Sequence, residues 1–246
     1  MRKALSWVLV LAMVLTSFSM VFAGTYPDAK GQTCEDAVNV LSELGVVNGY
    51  EDGTYHPEKT VTRAEAAKLI VAALGLTDSA EKNTKVSFTD LAGATWAVGY
   101  IGYAEQLNLL LGYGNGKFGP SDTVTYEQWA TIILRALGYN DEYLGGTWPA
   151  NYVSKAKTLG LFDNVSASGA VGANRGDVAI LLYNALNLAI GSVDKDGKWD
   201  FEKKPGTTND AADTMFIRLG AQTTVDEYVI VDNYYDKAAC DLSPYL

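Results

Sequence analysis

Few side chains in this sequence could carry acid–base, nucleophilic or metal chemistry. His56 is the single histidine, and Cys34 and Cys240 are the two cysteines. They cannot furnish a His-rich metal site, a four-thiolate zinc site or a disulfide framework. Asp194-Lys195-Asp196-Gly197-Lys198-Trp199-Asp200 alternates carboxylates like the start of a calcium loop, but lacks the later residues, including a glutamate at position twelve. It reads better as a polar turn. There is no glycine-rich phosphate loop ending in Lys-Ser/Thr, and no nucleophile–His–acid set. No catalytic residue, metal or cofactor is therefore expected. Binding chemistry remains, and Arg63 and Arg175 are its main candidates. Each falls in the first turn of an expected helix, where a cation opposes the helix dipole and gains nothing from it. Holding an anion is one reason for such a placement, and solvated surface charge is the other.

Composition narrows the class further. The chain has 246 residues, 48% apolar and 20% charged, with a mean hydropathy of zero. That mixture fits a water-soluble globular body and excludes wholesale disorder. A net charge of −10 disfavours a nucleic-acid binder, which needs a basic face. Residues 1–23 read as a secretory signal peptide: Arg2 and Lys3, an apolar run from Ala4 to Met20, then Val21 and Ala23 as a small-residue cleavage site before Gly24. An uncleaved anchor helix is the alternative. Cleavage leaves an exported protein with no membrane span. Export would permit a Cys34–Cys240 bridge, but the favoured reading makes Cys34 a small buried residue at the start of a helix.

The elements that position these residues repeat. Gly49-Tyr50-Glu51-Asp52-Gly53-Thr54-Tyr55-His56-Pro57 recurs 63 positions later as Gly112-Tyr113-Gly114-Asn115-Gly116-Lys117-Phe118-Gly119-Pro120. Tyr26-Pro27-Asp28 answers to Phe88-Thr89-Asp90. A third, eroded copy runs from Trp148 to about Ile190; it keeps Asn174-Arg175-Gly176-Asp177 but lacks the glycine-aromatic turn. Each copy reads as helix, turn, helix. The second helices begin at Thr62, Thr125 and Asn174, with Glu65 and Gln128 closing capping boxes in the first two. Their apolar faces are Ala66, Leu69, Ile70, Ala73 and Leu74; Trp129, Ile132, Ile133, Ala136 and Leu137; and Val178, Leu181, Leu182, Ala185 and Leu186. Units of about 50 residues cannot easily hold separate cores, so the three faces are expected to share one. The links Thr77–Lys85 and Asn140–Thr147 are expected to cross the surface. Trp96 and Trp148 suit either core packing or sugar stacking, with the core favoured, and Asp28 and Asp90 suit either first-helix capping or a groove.

These residues resemble the S-layer homology domain, in three tandem copies at 24–76, 86–139 and 147–190. The resemblance rests on Tyr26-Pro27-Asp28 and Phe88-Thr89-Asp90, the glycine-aromatic turns and Thr62-Arg63-Ala64-Glu65. It implies an all-α fold in which three helix-turn-helix repeats form a pseudo-threefold spindle around a central three-helix bundle. It further implies a non-catalytic anchor whose inter-repeat grooves bind secondary cell-wall polysaccharide, often bearing pyruvate ketals. Carried over residue by residue, the polysaccharide contacts are Asp28, Gly53, Arg63, Glu65, Asp90, Gly116, Gln128 and Arg175. Tyr126 stands where the second copy should have a basic residue, which puts one groove in doubt. Glu65 and Gln128 are also explained as caps, and Gly53 and Gly116 as turn residues.

The tail, 191–246, has an apolar cluster at Met215, Phe216, Ile217 and Leu219, followed by strand character from Val225 to Val231. It either docks on the helical body or begins a further domain. Two other functions stay open: a surface-array protein whose repeats mainly self-associate, and an accessory to a wall-associated hydrolase. Under every one of these readings the protein works outside the cell, at the wall or surface layer.

Overall fold

A computed structural model describes residues 26–193, 199–200, 214–219, 221–224 and 227–230. The leader at 1–23, Cys240 and most of the Asp194–Asp200 segment lie outside them. The described chain is mainly helical. Its helices are α1 (Glu35–Glu43), α2 (Arg63–Ala73), α3 (Thr77–Glu81), α4 (Val98–Gln106), α5 (Tyr126–Ala136), α6 (Asp141–Leu144), α7 (Ala150–Thr158), α8 (Arg175–Ala185) and α9 (Met215–Arg218). A 3-10 turn at Ala92–Ala97 leads into α4.

Local chemistry starts the three longest helices alike. Thr62, Thr125 and Asn174 keep extended backbone, and their side-chain oxygens accept from the N–H groups of Glu65, Gln128 and Asp177. Glu65 and Gln128 accept in return from Thr62 N–H at 2.8 Å and Thr125 N–H at 2.9 Å. Both expected capping boxes are present. Apart from Leu69, which is partly buried, all the expected apolar faces of α2, α5 and α8 are buried. Each fully buried Leu, Ile or Val contributes about 1.5–3 kcal/mol, so this shared core dominates the stability.

Just before the caps, three backbone strands meet in a closed ring. Val61 N–H donates to Ala173 O at 3.0 Å, Ala173 N–H to Val124 O at 2.9 Å, and Val124 N–H to Val61 O at 3.0 Å. The helix starts are exchanged around the same ring. Arg63 and Ala64 N–H groups donate to Asp122 O and Pro120 O, Tyr126 and Glu127 to Val171 O and Gly169 O, and Arg175 and Gly176 to Lys59 O and Pro57 O. The first N–H groups of a helix have no partner within it, and each helix here finds them in the next segment.

Packing follows the exchange. The first helix of each pair lies on the second helix of another: α4 on α2, α7 on α5, and α1 on α8. The sequence repeat is thus not the packing unit.

The links are more ordered than expected. Thr77–Lys85 contains α3, whose Ala80 is buried, and Asn140 caps α6 by accepting from Tyr143 N–H at 2.8 Å. Trp96 and Trp148 are 53% and 51% exposed, against the expectation of core packing. Both precede their helices, so the helix-face periodicity did not govern them. In the tail, the strand expected at Val225–Val231 is described as β4 (Glu227–Ile230), paired antiparallel with β3 (Ala221–Thr224) in a hairpin. A second small pair joins β1 (Ser192–Val193) and β2 (Trp199–Asp200). Met215, Phe216 and Leu219 are buried, and Phe216 N–H donates to Leu186 O at 3.0 Å, so α9 docks on the end of α8.

Candidate functional site

The site is built from two equivalent clamps. Arg63 leaves the start of α2 and enters the turn of the second helix pair, donating from Nε to Phe118 O at 2.8 Å and from Nη2 to Leu111 O at 2.6 Å. Its guanidinium lies 4.6 Å from the Phe118 ring centre and 4.8 Å from that of Tyr113. Arg175 does the same in the turn of the first pair, with Nε on Tyr55 O at 2.9 Å and Nη2 on Asn48 O at 3.0 Å, over the rings of Tyr55 and Tyr50. Both arginines are nearly buried, at 6% and 8% exposure. Among the described residues neither forms an ion pair. Burial lowers the Arg63 pKa, and Tyr113, Asp122 and Asp90 act in the opposite sense. Neither expected reading of these arginines covers the whole observation, because each cation holds the carbonyls of a neighbouring turn. Each guanidinium still has its Nη1 edge without a hydrogen bond to the described protein.

Asp28 and Asp90 shape those turns from the other side. Asp28 accepts from Tyr55 N–H at 2.9 Å and His56 N–H at 2.7 Å, and Asp90 from Phe118 N–H and Gly119 N–H, both at 2.9 Å. These bonds replace the first-helix capping considered from sequence. Burial raises the Asp28 pKa, but the two N–H donors outweigh it and leave a net lowering. The N–H groups of Phe118 and Gly119 lower that of Asp90. Gly49 and Gly112 are bare because the rings of the opening aromatics, Tyr26 and Phe88, pack against them; a methyl group at either would collide with that ring and with the Thr54 or Lys117 carbonyl oxygen. Gly53 and Gly116 adopt φ of +81° and +73° at the open tips of the turns, where an added Cβ would meet nothing. The polar hub of each clamp is thus a carboxylate, two backbone N–H groups, two carbonyls and a guanidinium. Glu65 caps α2 next to the Arg63 clamp, whereas Gln128 caps α5 at the boundary that begins with Tyr126.

The third boundary has different chemistry. At the position of Arg63 and Arg175, α5 begins with Tyr126, whose hydroxyl donates to Asp177 Oδ2 at 2.5 Å. Asp177 also accepts from Ser166 Oγ at 2.6 Å, Ser166 N–H at 3.2 Å and Asn174 Nδ2 at 3.2 Å. Burial and the Asp177 bond push the Tyr126 pKa up to about 12. The missing cation of the second copy therefore faces the missing turn of the third. Both losses are visible in the sequence, but their meeting is a tertiary fact.

His56 lies in the first turn with φ +54°, within 3.6 Å of Asp52 and 3.3 Å of Glu58. Cys34 is buried and unpaired among the described residues. No group of three or more His, Cys, Asp or Glu side chains is placed to hold a metal ion there. None of the described helices is long and apolar enough to cross a membrane.

This arrangement is that of a protein built from repeated helix pairs. The S-layer homology domain occurs in the chain twice, at residues 25–67 and 87–130. The chain is 34% identical over 194 residues to the middle cell wall protein of Brevibacillus brevis, covering 76% of this chain and 18% of that one. It is 36% identical over 195 residues to a cell surface protein of Thermoanaerobacter kivui, covering 76% and 25%. It is also 29% identical over 180 residues to exoglucanase XynX of Acetivibrio thermocellus, covering 66% and 16%. The chain thus spans a quarter or less of the length of these relatives. The repeated domain and the cell-wall and surface relatives support a cell-surface anchoring role and point to a secreted protein.

Proposed function

We propose that the chain is a non-catalytic module that anchors a secreted protein to an anionic cell-wall polysaccharide, gripping acidic sugars, such as pyruvate ketals, at the Arg63 and Arg175 clamps. One observation carries the reading: two nearly buried guanidinium groups occupy equivalent places, each without a carboxylate partner among the described residues. A buried charge is costly unless paired, and a ligand carboxylate would pair it. The clamp carbonyls hold Nε and Nη2, which leaves Nη1 as the edge for the ligand. Leu111 and Tyr113, both about half exposed beside Arg63, offer the apolar wall that a sugar ring needs. Asp28, Asp90, Gly53 and Gly116 shape these grooves, Glu65 lies beside the Arg63 groove, and Gln128 belongs to the third boundary.

The closed ring Val61–Ala173–Val124 supports reading 147–190 as a third, diverged copy beside 24–76 and 86–139, in a pseudo-threefold spindle. With Tyr126 and Asp177 at its boundary, that third groove carries a carboxylate where the others carry a cation. The module therefore has two acidic-sugar grooves. Residues 1–23 serve as the export leader.

The test is calorimetric titration with purified wall polysaccharide before and after removal of pyruvate. Charge-assisted hydrogen bonds contribute about 1.5–3 kcal/mol each, so Arg63→Ala or Arg175→Ala should weaken its own groove roughly 10- to 100-fold. Equal binding of the stripped polymer, or wild-type affinity in the double variant, overturns the carboxylate grip.

A further inference from the structure

A second kind of binding site lies away from the clamps, in a cleft of about 340 Å³ between the α3 segment and the start of α4. Two glycines let its walls approach. A methyl group on Gly99 would collide with Ala80 O, and one on Gly102 with Lys85 O. Asn83 locks the α3–α4 wall, donating from Nδ2 to Lys85 O at 3.1 Å and Gly99 O at 3.2 Å while its Oδ1 accepts from Lys85 N–H at 3.1 Å. On this frame Trp96 stands 53% exposed. Glu81 also lines the cleft, its carboxylate oriented by the buried Tyr100, whose hydroxyl donates to Oε1 at 2.9 Å. Thr84 and Thr95 line it too, and their hydroxyls make no hydrogen bond to the described protein.

We infer that this cleft binds a neutral pyranose ring, with the apolar face of the sugar on the Trp96 indole and its hydroxyls on Glu81, Thr84 and Thr95. The volume falls at the small end of ligand pockets, and the lining combines one flat apolar surface with a few convergent polar groups. The charge decides the class of sugar. Glu81 is a fixed acceptor for hydroxyl donors and repels carboxylates and phosphates, whereas no cation lines the cleft. Its ligand is thus the opposite of an acidic ketal. An organic cation would also suit a carboxylate beside an indole, but cation recognition draws on several ring faces. Trp96 is the one exposed ring here: Tyr100 is buried, and Lys68 Nζ lies 5.9 Å from its centre. The inference does not rest on the arginine clamps.

The experiment titrates the intact chain with cellotriose, chitotriose and maltotriose, following tryptophan fluorescence and heat, with trigalacturonate and choline as contrasting probes. At least one neutral trisaccharide should saturate below about 10 mM, and Trp96→Ala should weaken it roughly 10-fold or more without shifting the thermal melt. Glu81→Gln keeps an acceptor for Tyr100 but removes the charge, so it should narrow the preference for the neutral sugar over trigalacturonate. The proposal is overturned if no neutral trisaccharide binds in that range, if Trp96→Ala binds like wild type, if Glu81→Gln leaves the preference unchanged, or if choline binds in place of sugar.

Discussion

Arg63→Ala should weaken the fold as well as the groove. Its guanidinium makes two charge-assisted bonds to backbone carbonyls, the one to Phe118 O buried and the one to Leu111 O part-buried. Such bonds contribute about 1.5–3 kcal/mol each, and the part-buried one should fall at or below the low end. Packing between Tyr113 and Phe118 adds about 0.5–1 kcal/mol. Taken at the low end of these ranges, the loss comes to about 3 kcal/mol. For a domain of this size, 1 kcal/mol moves Tm by roughly 2–4 °C, which gives a fall of about 6–12 °C. Arg63→Lys keeps the charge but not the fork, and a single ammonium cannot reproduce Nε and Nη2 at both carbonyls. It should recover less than half of the loss. Thermal unfolding followed by circular dichroism reads both variants. If Arg63→Ala melts within about 2 °C of wild type, or Arg63→Lys melts like wild type, the guanidinium does not hold the two segments together. Binding measurements on the alanine variant belong below its lowered transition, so that loss of grip and loss of fold stay separate.

Leu182→Asp buries an unpaired charge in the shared core and should abolish cooperative unfolding of all three helix pairs; amide exchange protection surviving in α2 and α5 would show independent units. Gly112→Ala places a methyl group against the Phe88 ring and Lys117 O, and should destabilise the second turn by about 1–3 kcal/mol, as read by urea denaturation. The folded-state pKa values of Asp28 and Asp90 lie below the ordinary 3.8, so their bonds contribute stability above about pH 4 that is lost as the pH falls through those lowered values. Asp28→Asn with Asp90→Asn should therefore flatten the decline of stability between about pH 4 and 2, and an unchanged acid profile would count against the assignment. Tyr126→Phe removes one donor from buried Asp177 and should cost about 1–3 kcal/mol in urea denaturation while leaving binding of acidic polymer unchanged; weakened binding would place the third boundary in the site.

Much of this architecture is legible in the amino-acid order because it is local. Thr62 with Glu65 and Thr125 with Gln128 identify helix starts through bonds spanning three residues. The period of Val178, Leu181, Leu182, Ala185 and Leu186 identifies a buried face without any knowledge of its partner. The 63-residue offset of the turns announces a repeat. Exposure of Trp96 and Trp148 was not legible, since both stand in turns ahead of their helices, where no period distinguishes inside from outside. The helix within Thr77–Lys85 escaped for a related reason: five residues carry too little pattern, and Ala80 is buried against α4 where Gly99 lets the backbones touch.

The amino-acid sequence by itself determined the repeat, the second helices with their caps and apolar faces, and which residue types could meet an acidic ligand. Tertiary structure alone decided who those residues meet. Arg63 lies 48 and 55 positions from its two carbonyl partners, and Arg175 lies 127 and 120 positions from its own. No local preference encodes such distances. They follow from the ring of Val61, Ala173 and Val124, which hands the start of each long helix to the turn of another segment, and from the burial of three apolar faces in one core.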